Sequence, residues 1–177
     1  MARLGPDEWI ALGLAALSDG GEDAIGLDAI TTRAGKTKGS FYHHFRNHDD
    51  FLGRVLAEWK QRFTDDLIEA TKDGSKSDRG AALNALATAL DHRLELSIRR
   101  LAVRNETAAR TLRQVDGIRI AYLKSLQADP ESDAAADYAL IEYAVFVGMQ
   151  SLMPTAVRTA ERLGGLTAEM IAAHWNE

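Results

Sequence analysis

The sequence contains no cysteine, which excludes a disulfide framework, thiolate-bound zinc and a thiol nucleophile, and suits a reducing cytosolic compartment. Proline is scarce, three in 177 residues, and clusters of β-branched residues are few among the alanines and leucines. That composition favours an all-helical chain. No apolar run approaches the roughly 18 residues of a membrane span, and the N-terminus lacks the cation-then-apolar layout of a secretory signal. The expectation is a cytoplasmic protein with no membrane partner. Positive charge is in deficit: 21 Lys and Arg stand against 26 Asp and Glu, a net charge of −5. Such a balance argues against nucleic acid as a partner unless the cations are concentrated locally, because a DNA binder must present them to phosphate. What is present, 46% hydrophobic residues, suffices for one large core or two small ones and excludes disorder over most of the chain.

Periodicity and turn chemistry divide the chain into helices. Pro6, Asp7 and Glu8 open a first helix to about residue 19, with Ile10, Leu14 and Leu17 on one face and Gly20-Gly21 as its stop. Leu27 to Ala34 forms a short helix ended by Gly35. Thr37 can cap a third, Lys38 to Phe45, docked through Phe41 and Phe45 at i, i+4. After Asn47 a long amphipathic helix carries Phe51, Leu52, Val55, Leu56, Trp59, Phe63, Leu67 and Ile68, and Asp73 to Asp78 reads as a linker. Leu83, Leu86, Leu90 and Leu94 continue one helical stripe to about Arg104, and Asn105 can cap the next helix, which Asp129-Pro130 ends. From Ala134 to Leu152 the chain is apolar almost all round, Asp137, Glu142 and Gln150 excepted, so that helix must be buried on every side. Pro154 should limit or kink it, Gly164-Gly165 should make a further break, and Thr167 should cap a last short helix from Ala168 to about Trp175.

The second and third helices, joined through Ala34-Gly35-Lys36-Thr37, have the layout of a helix-turn-helix. Its chemistry separates it from an ordinary turn. Lys36, Thr37, Lys38, Ser40, Tyr42, His43, His44, Arg46 and His48 are crowded together, and no Asp or Glu lies between Ala29 and His48. The acidic average therefore conceals a cationic island. Gly39 lets backbone approach base edges, while Tyr42, pointing away from Phe41 and Phe45, can donate to phosphate. His44 and His48 are four apart, but Asn47 separates two helices between them, so no metal ligation is assigned.

The run Gly35-Lys36-Thr37-Lys38-Gly39-Ser40-Phe41-Tyr42-His43-His44-Phe45, followed by Asn47-His48-Asp49-Asp50-Phe51-Leu52, resembles the recognition helix and following helix of TetR-family transcriptional regulators. The specific resemblance covers roughly residues 8 to 56. It implies an all-α fold: a DNA-binding domain of three helices over residues 1–48, then a helical ligand-binding and dimerisation domain over 49–177. It also implies that Lys38 and Gly39 meet base edges in the major groove, with Thr37, Ser40, Tyr42, His43 and His44 meeting the backbone or adjacent bases; Lys36 and His48, from the same cationic run, are further DNA-binding candidates. Three positions depart from the family pattern. Gly26 replaces the usual Ser or Thr cap of the second helix, Asp28 stands where a basic residue is common, and His48 replaces a lysine, which makes the cation there conditional on pH.

The second half carries Trp59, Phe63, His92, Arg99, Tyr122, Tyr143 and Phe146 as candidates to line an effector cavity between helices, which the resemblance implies. The apolar helix needs a partner for its remaining side, for which Tyr138, Ile141, Val145, Phe146 and Met149 are the candidates, so a homodimer is expected. No nucleophile, base and orienting group can be assembled, and no Walker or Rossmann glycine loop occurs, so neither catalytic residue nor cofactor is assigned. The functional expectation is a ligand-responsive repressor that binds a palindromic double-stranded DNA operator as a homodimer and is released by a small-molecule effector. The alternatives are a helical dimeric interaction module that has lost DNA binding, or a small helical enzyme.

Overall fold

The computed structural model describes residues 4–152 and 157–175, and among these it contains helices and turns but no strand. The elements are α1 (Pro6–Gly20), α2 (Leu27–Ala34), α3 (Lys38–Tyr42), α4 (His48–Lys60), α5 (Asp66–Ala70), α6 (Lys76–Thr88), α7 (His92–Ala102), α8 (Glu106–Leu126), α9 (Asp133–Leu152) and α10 (Val157–Trp175), with a 3-10 turn over Glu22–Ile25 and a π-helical turn over Gln61–Asp65. The all-α expectation is met. Two compact units are formed.

The first unit takes the residues up to Gln61 together with Arg93–Arg113. Its core is aromatic: the Phe41 ring lies 5.6 Å from Trp9, 5.0 Å from Phe45 and 5.2 Å from Phe51, and all four side chains are buried. Aromatic pairs at such separations add roughly 0.5–1.5 kcal/mol beyond the area they bury. Gly13 allows α1 and α4 to close on each other, since a Cβ there would stand 2.6 Å from Val55 Cγ2 and 2.9 Å from Phe51 Cζ.

The second unit takes Arg62–His92 and the residues from Gln114 onward. Leu123, Ala139 and Tyr143 form its buried centre, with Leu83, Ile120, Phe146 and Val147 packed around them.

Several elements differ from the sequence expectation. The supposed linker is half helix: Ser75 caps α6, accepting from the Asp78 N–H at 3.2 Å, while Asp78 accepts from the Ser75 N–H, so turn-prone residues serve as a capping box. The leucine stripe is interrupted between Thr88 and His92, which separates α6 from α7. The long fourth helix runs to Ala70 through the π-helical turn rather than as one α-helix. Gly164-Gly165 does not break α10, and Thr167 bonds the Leu163 carbonyl at 2.8 Å inside that helix instead of capping it. The glycine has a packing reason: the Asn84 side chain occupies the place a Cβ at Gly164 would take. Pro154 lies outside the described residues.

Candidate nucleic-acid interface and ligand site

The turn between α2 and α3 is built on backbone requirements. Gly35 adopts φ 60°, ψ 35°, the left-handed conformation that ends a helix, and its N–H bonds back into the last turn of α2. The Lys36 N–H follows onto the Thr31 carbonyl at 3.0 Å. Thr37, in extended conformation, accepts the Ser40 N–H at 3.2 Å and starts α3. This helix is shorter than expected, ending at Tyr42, after which His43 and His44 form a turn that leads to Phe45. Phe41 and Phe45 still anchor both ends of the segment in the aromatic core.

With those rings inward, the opposite side of α3 faces out: Thr37, Lys38, Gly39, Tyr42 and His43 are exposed, while Lys36, Ser40 and His44 are half-buried. The side chain of Tyr42 is among the large exposed ones, and the rings of His43 and His44 stand edge to face at 4.9 Å. No group of three or more metal-ligating side chains occurs among the described residues.

Charge in the island is more balanced than its sequence suggests. Asp28, from α2, approaches the Lys38 ammonium at 2.5 Å, and its hydrogen bond and charge raise that ammonium above the ordinary lysine value. Arg33 pairs with Asp19 at 2.6 Å. The Arg46 N–H donates to Asp50 at 3.0 Å, and with the Arg54 and Arg46 guanidinium groups beside it this holds the carboxyl below its ordinary value. Neither the pairing of Lys38 nor the turning of Arg46 towards α4 could be read from charge density along the chain. His48 is half-buried at the first turn of α4, its Nε2 2.8 Å from the Ile25 carbonyl. Because a carbonyl only accepts, Nε2 holds the proton there and Nδ1 is the nitrogen left to meet anything else. Gly26 gives α2 no side-chain cap, as its sequence implies.

The candidate effector residues divide between the units. Trp59 and Arg99 belong to the first, Trp59 fully buried and Arg99 paired with the buried Glu95 at 2.9 Å. In the second, the Phe146 ring lies 6.0 Å from His92 and 6.3 Å from Tyr143. Tyr122 instead closes a local tie, its hydroxyl 2.9 Å from Thr71 Oγ1. Phe63 contributes its backbone: the Arg119 guanidinium donates to its carbonyl at 3.0 Å, to Thr64 Oγ1 at 3.0 Å and to the Tyr143 hydroxyl at 3.3 Å, and that hydroxyl donates to Asp116 at 2.6 Å. A π-helical turn leaves carbonyls out of the regular ladder, which suits this use of Phe63. Sequence reasoning missed Asp116 and Arg119; their signal was a polar i, i+3 pair on the inward side of α8.

Of the dimerisation candidates, Met149 is buried within its own unit and Phe146 packs on the inner cluster. Tyr138 and Val145 are half-buried, and Ile141 is exposed. The outward apolar stripe of α9 runs through Leu140, Ile141, Ala144 and Leu152, and Leu166 and Met170 are exposed on α10. The apolar character of Ala134 to Leu152 thus serves two faces, and without a burial pattern the sequence could not sort them.

Residues 10–55 match the family model described as bacterial regulatory proteins, tetR family. A transcriptional regulator of Cereibacter sphaeroides, AcuR, is 38% identical over 74 residues, 42% of this chain. That stretch spans only about a third, 34%, of the relative's length. Among solved structures, a transcriptional regulator from a Rhodococcus species superposes with a TM-score of 0.81 at 17% identity, covering 97% of both chains. A TetR transcription regulator from Haloarcula marismortui gives 0.76 at 17% identity, over 93% of this chain and 96% of that one. At such identities these two likenesses establish the fold alone.

Proposed function

We infer, from the match of residues 10–55 to the family model of bacterial regulatory proteins, tetR family, that this protein is a DNA-binding transcriptional regulator. The observation that carries this reading is α3: a short helix locked from behind by Phe41 and Phe45, holding Lys38, Gly39, Tyr42 and His43 outward on a segment free of acidic residues. Lys38 and Gly39 read base edges in the major groove. Thr37, Ser40, Tyr42, His43 and His44 meet the phosphate backbone or neighbouring bases, with Lys36 behind them. His48, engaged with Ile25, reaches phosphate only through Nδ1.

The regulator acts as a homodimer through the exposed faces of α9 and α10, and two copies of α3 read a near-palindrome with half-sites one helical turn, roughly 34–36 Å, apart. The second unit receives a small-molecule effector that binds the state unable to hold operator more tightly, and so relieves repression. Selection of bound sites from a random duplex pool tests the reading. Enrichment of an inverted repeat is the expected outcome; recovery of unenriched sequence with no duplex affinity at low salt favours a helical interaction module, for which Asp28 beside Lys38 is the supporting feature.

A further inference from the structure

In the second unit the buried Gln150 and the half-buried Glu142 place two hydrogen-bond acceptors on one side of α9. The His92 Nε2 sits 3.2 Å from the Thr88 carbonyl. That nitrogen therefore carries the ring proton, and Nδ1 is an acceptor. The Gln150 side-chain nitrogen, 3.1 Å from this Nδ1, donates to it. The other end of the amide, Oε1, is shielded from solvent and meets no donor among the described residues, although Gln150 is only 3% exposed. Eight residues earlier on the same helix, burial pushes the Glu142 carboxyl above its ordinary value, with no cation or donor among the described residues to offset it. Phe146 stands midway, against His92 and Tyr143. The spacing i, i+4, i+8 makes a row of acceptor, aromatic ring and acceptor roughly 12 Å long.

An anionic ligand does not suit this row. Arg119 already donates to Thr64, Phe63 and Tyr143, so it presents no open fork to a carboxylate. We propose that Glu142, Phe146 and Gln150 recognise an elongated organic ammonium ion, its positive charge set against Glu142, its apolar body along Phe146 and Tyr143, and a second N–H or O–H donor at its far end given to Gln150 Oε1. The proposal rests on the reading that this unit receives the effector, and it assigns that effector's chemical class. Charge neutralisation, attraction of the cation to the aromatic faces and satisfaction of the orphaned oxygen act together.

The test is calorimetric titration of the full chain at neutral pH with four eight-carbon probes: 8-aminooctan-1-ol, octylamine, octan-1-ol and 8-hydroxyoctanoate. The amino alcohol binds most tightly and the carboxylate least. Glu142→Gln weakens both amines by about tenfold, the effect of losing one charge-assisted hydrogen bond, and leaves octan-1-ol unchanged. Gln150→Met weakens the amino alcohol and not octylamine. Carboxylate binding as tight as that of the amino alcohol, or no binding by either amine, overturns the proposal on wild-type protein alone, whether or not the variants fold. Anisotropy of a random duplex, run in parallel, separates the two readings: duplex binding without amine preference removes only the ammonium assignment, whereas amine preference without duplex binding removes the DNA reading and leaves this one standing.

Discussion

At the residue scale two carboxylates carry most of the information. Asp28 holds Lys38 at 2.5 Å, yet both side chains are exposed, a setting in which ion pairs contribute little to stability. Its consequence is for binding: Lys38 must leave Asp28 to reach a base, and the carboxylate then faces DNA. Asp28→Asn therefore tightens binding to random duplex at low salt while leaving thermal stability unchanged, a difference that anisotropy and a melting curve measure together. Glu142 acts on stability instead. Its folded-state value lies above the ordinary 4.5 through burial, so the folded protein binds the proton more tightly than the unfolded chain does. The resulting penalty is absent below the unfolded value and grows as pH rises through the folded one. Glu142→Gln should raise the melting temperature at pH 7 and bring no gain at pH 4. The sequence marked both residues as oddities, an acid where the resembled family commonly has a base and a polar residue in an apolar helix, but their surroundings depended on tertiary neighbours.

At the scale of elements, the boundaries written in turn and capping chemistry were legible and those set by packing were not. Asn105 accepts the Ala108 N–H at 2.9 Å where the sequence placed a cap, and Asn47, after which the sequence started the fourth helix, accepts the Asp50 N–H at 2.8 Å. Asn47→Ala should cost about 1 kcal/mol in denaturant unfolding, from one lost cap. Gly35, at the end of α2, was legible for the same local reason. By contrast α10 passes through two glycines, at one of which Asn84 fills the space a Cβ would take, and α3 ends at Tyr42 although Phe41 and Phe45 both reach the core. Gly13 belongs with these packing effects. Gly13→Ala gains helix propensity but drives a methyl group into Val55 and Phe51, and overpacking of this kind typically costs about 1–3 kcal/mol. A lowered unfolding midpoint with unchanged slope is the expected result.

At the scale of the molecule, the reading needs two copies of the chain. Leu140, Ile141 and Leu152 on α9, with Leu166 and Met170 on α10, are exposed apolar residues, and a stable dimer that covers them should bury on the order of 2,000 Å² or more in total. Sedimentation at micromolar concentration should show a dimer, and Ile141→Glu a monomer with much weaker operator affinity. The fold class and the outward side of α3 could be read from the sequence, since periodicity and a helix-turn-helix spacing encode them. The polar network of Asp116, Arg119 and Tyr143 could not, because its members come from separate segments. The central claim, that α3 reads DNA, is tested most directly by fluorescence anisotropy of the selected operator and a random duplex with wild type, Lys38→Ala and Tyr42→Phe. Lys38→Ala should lose about 1–3 kcal/mol on the operator and less on the random duplex, whereas Tyr42→Phe should weaken both alike; unchanged operator affinity in both variants would contradict the account.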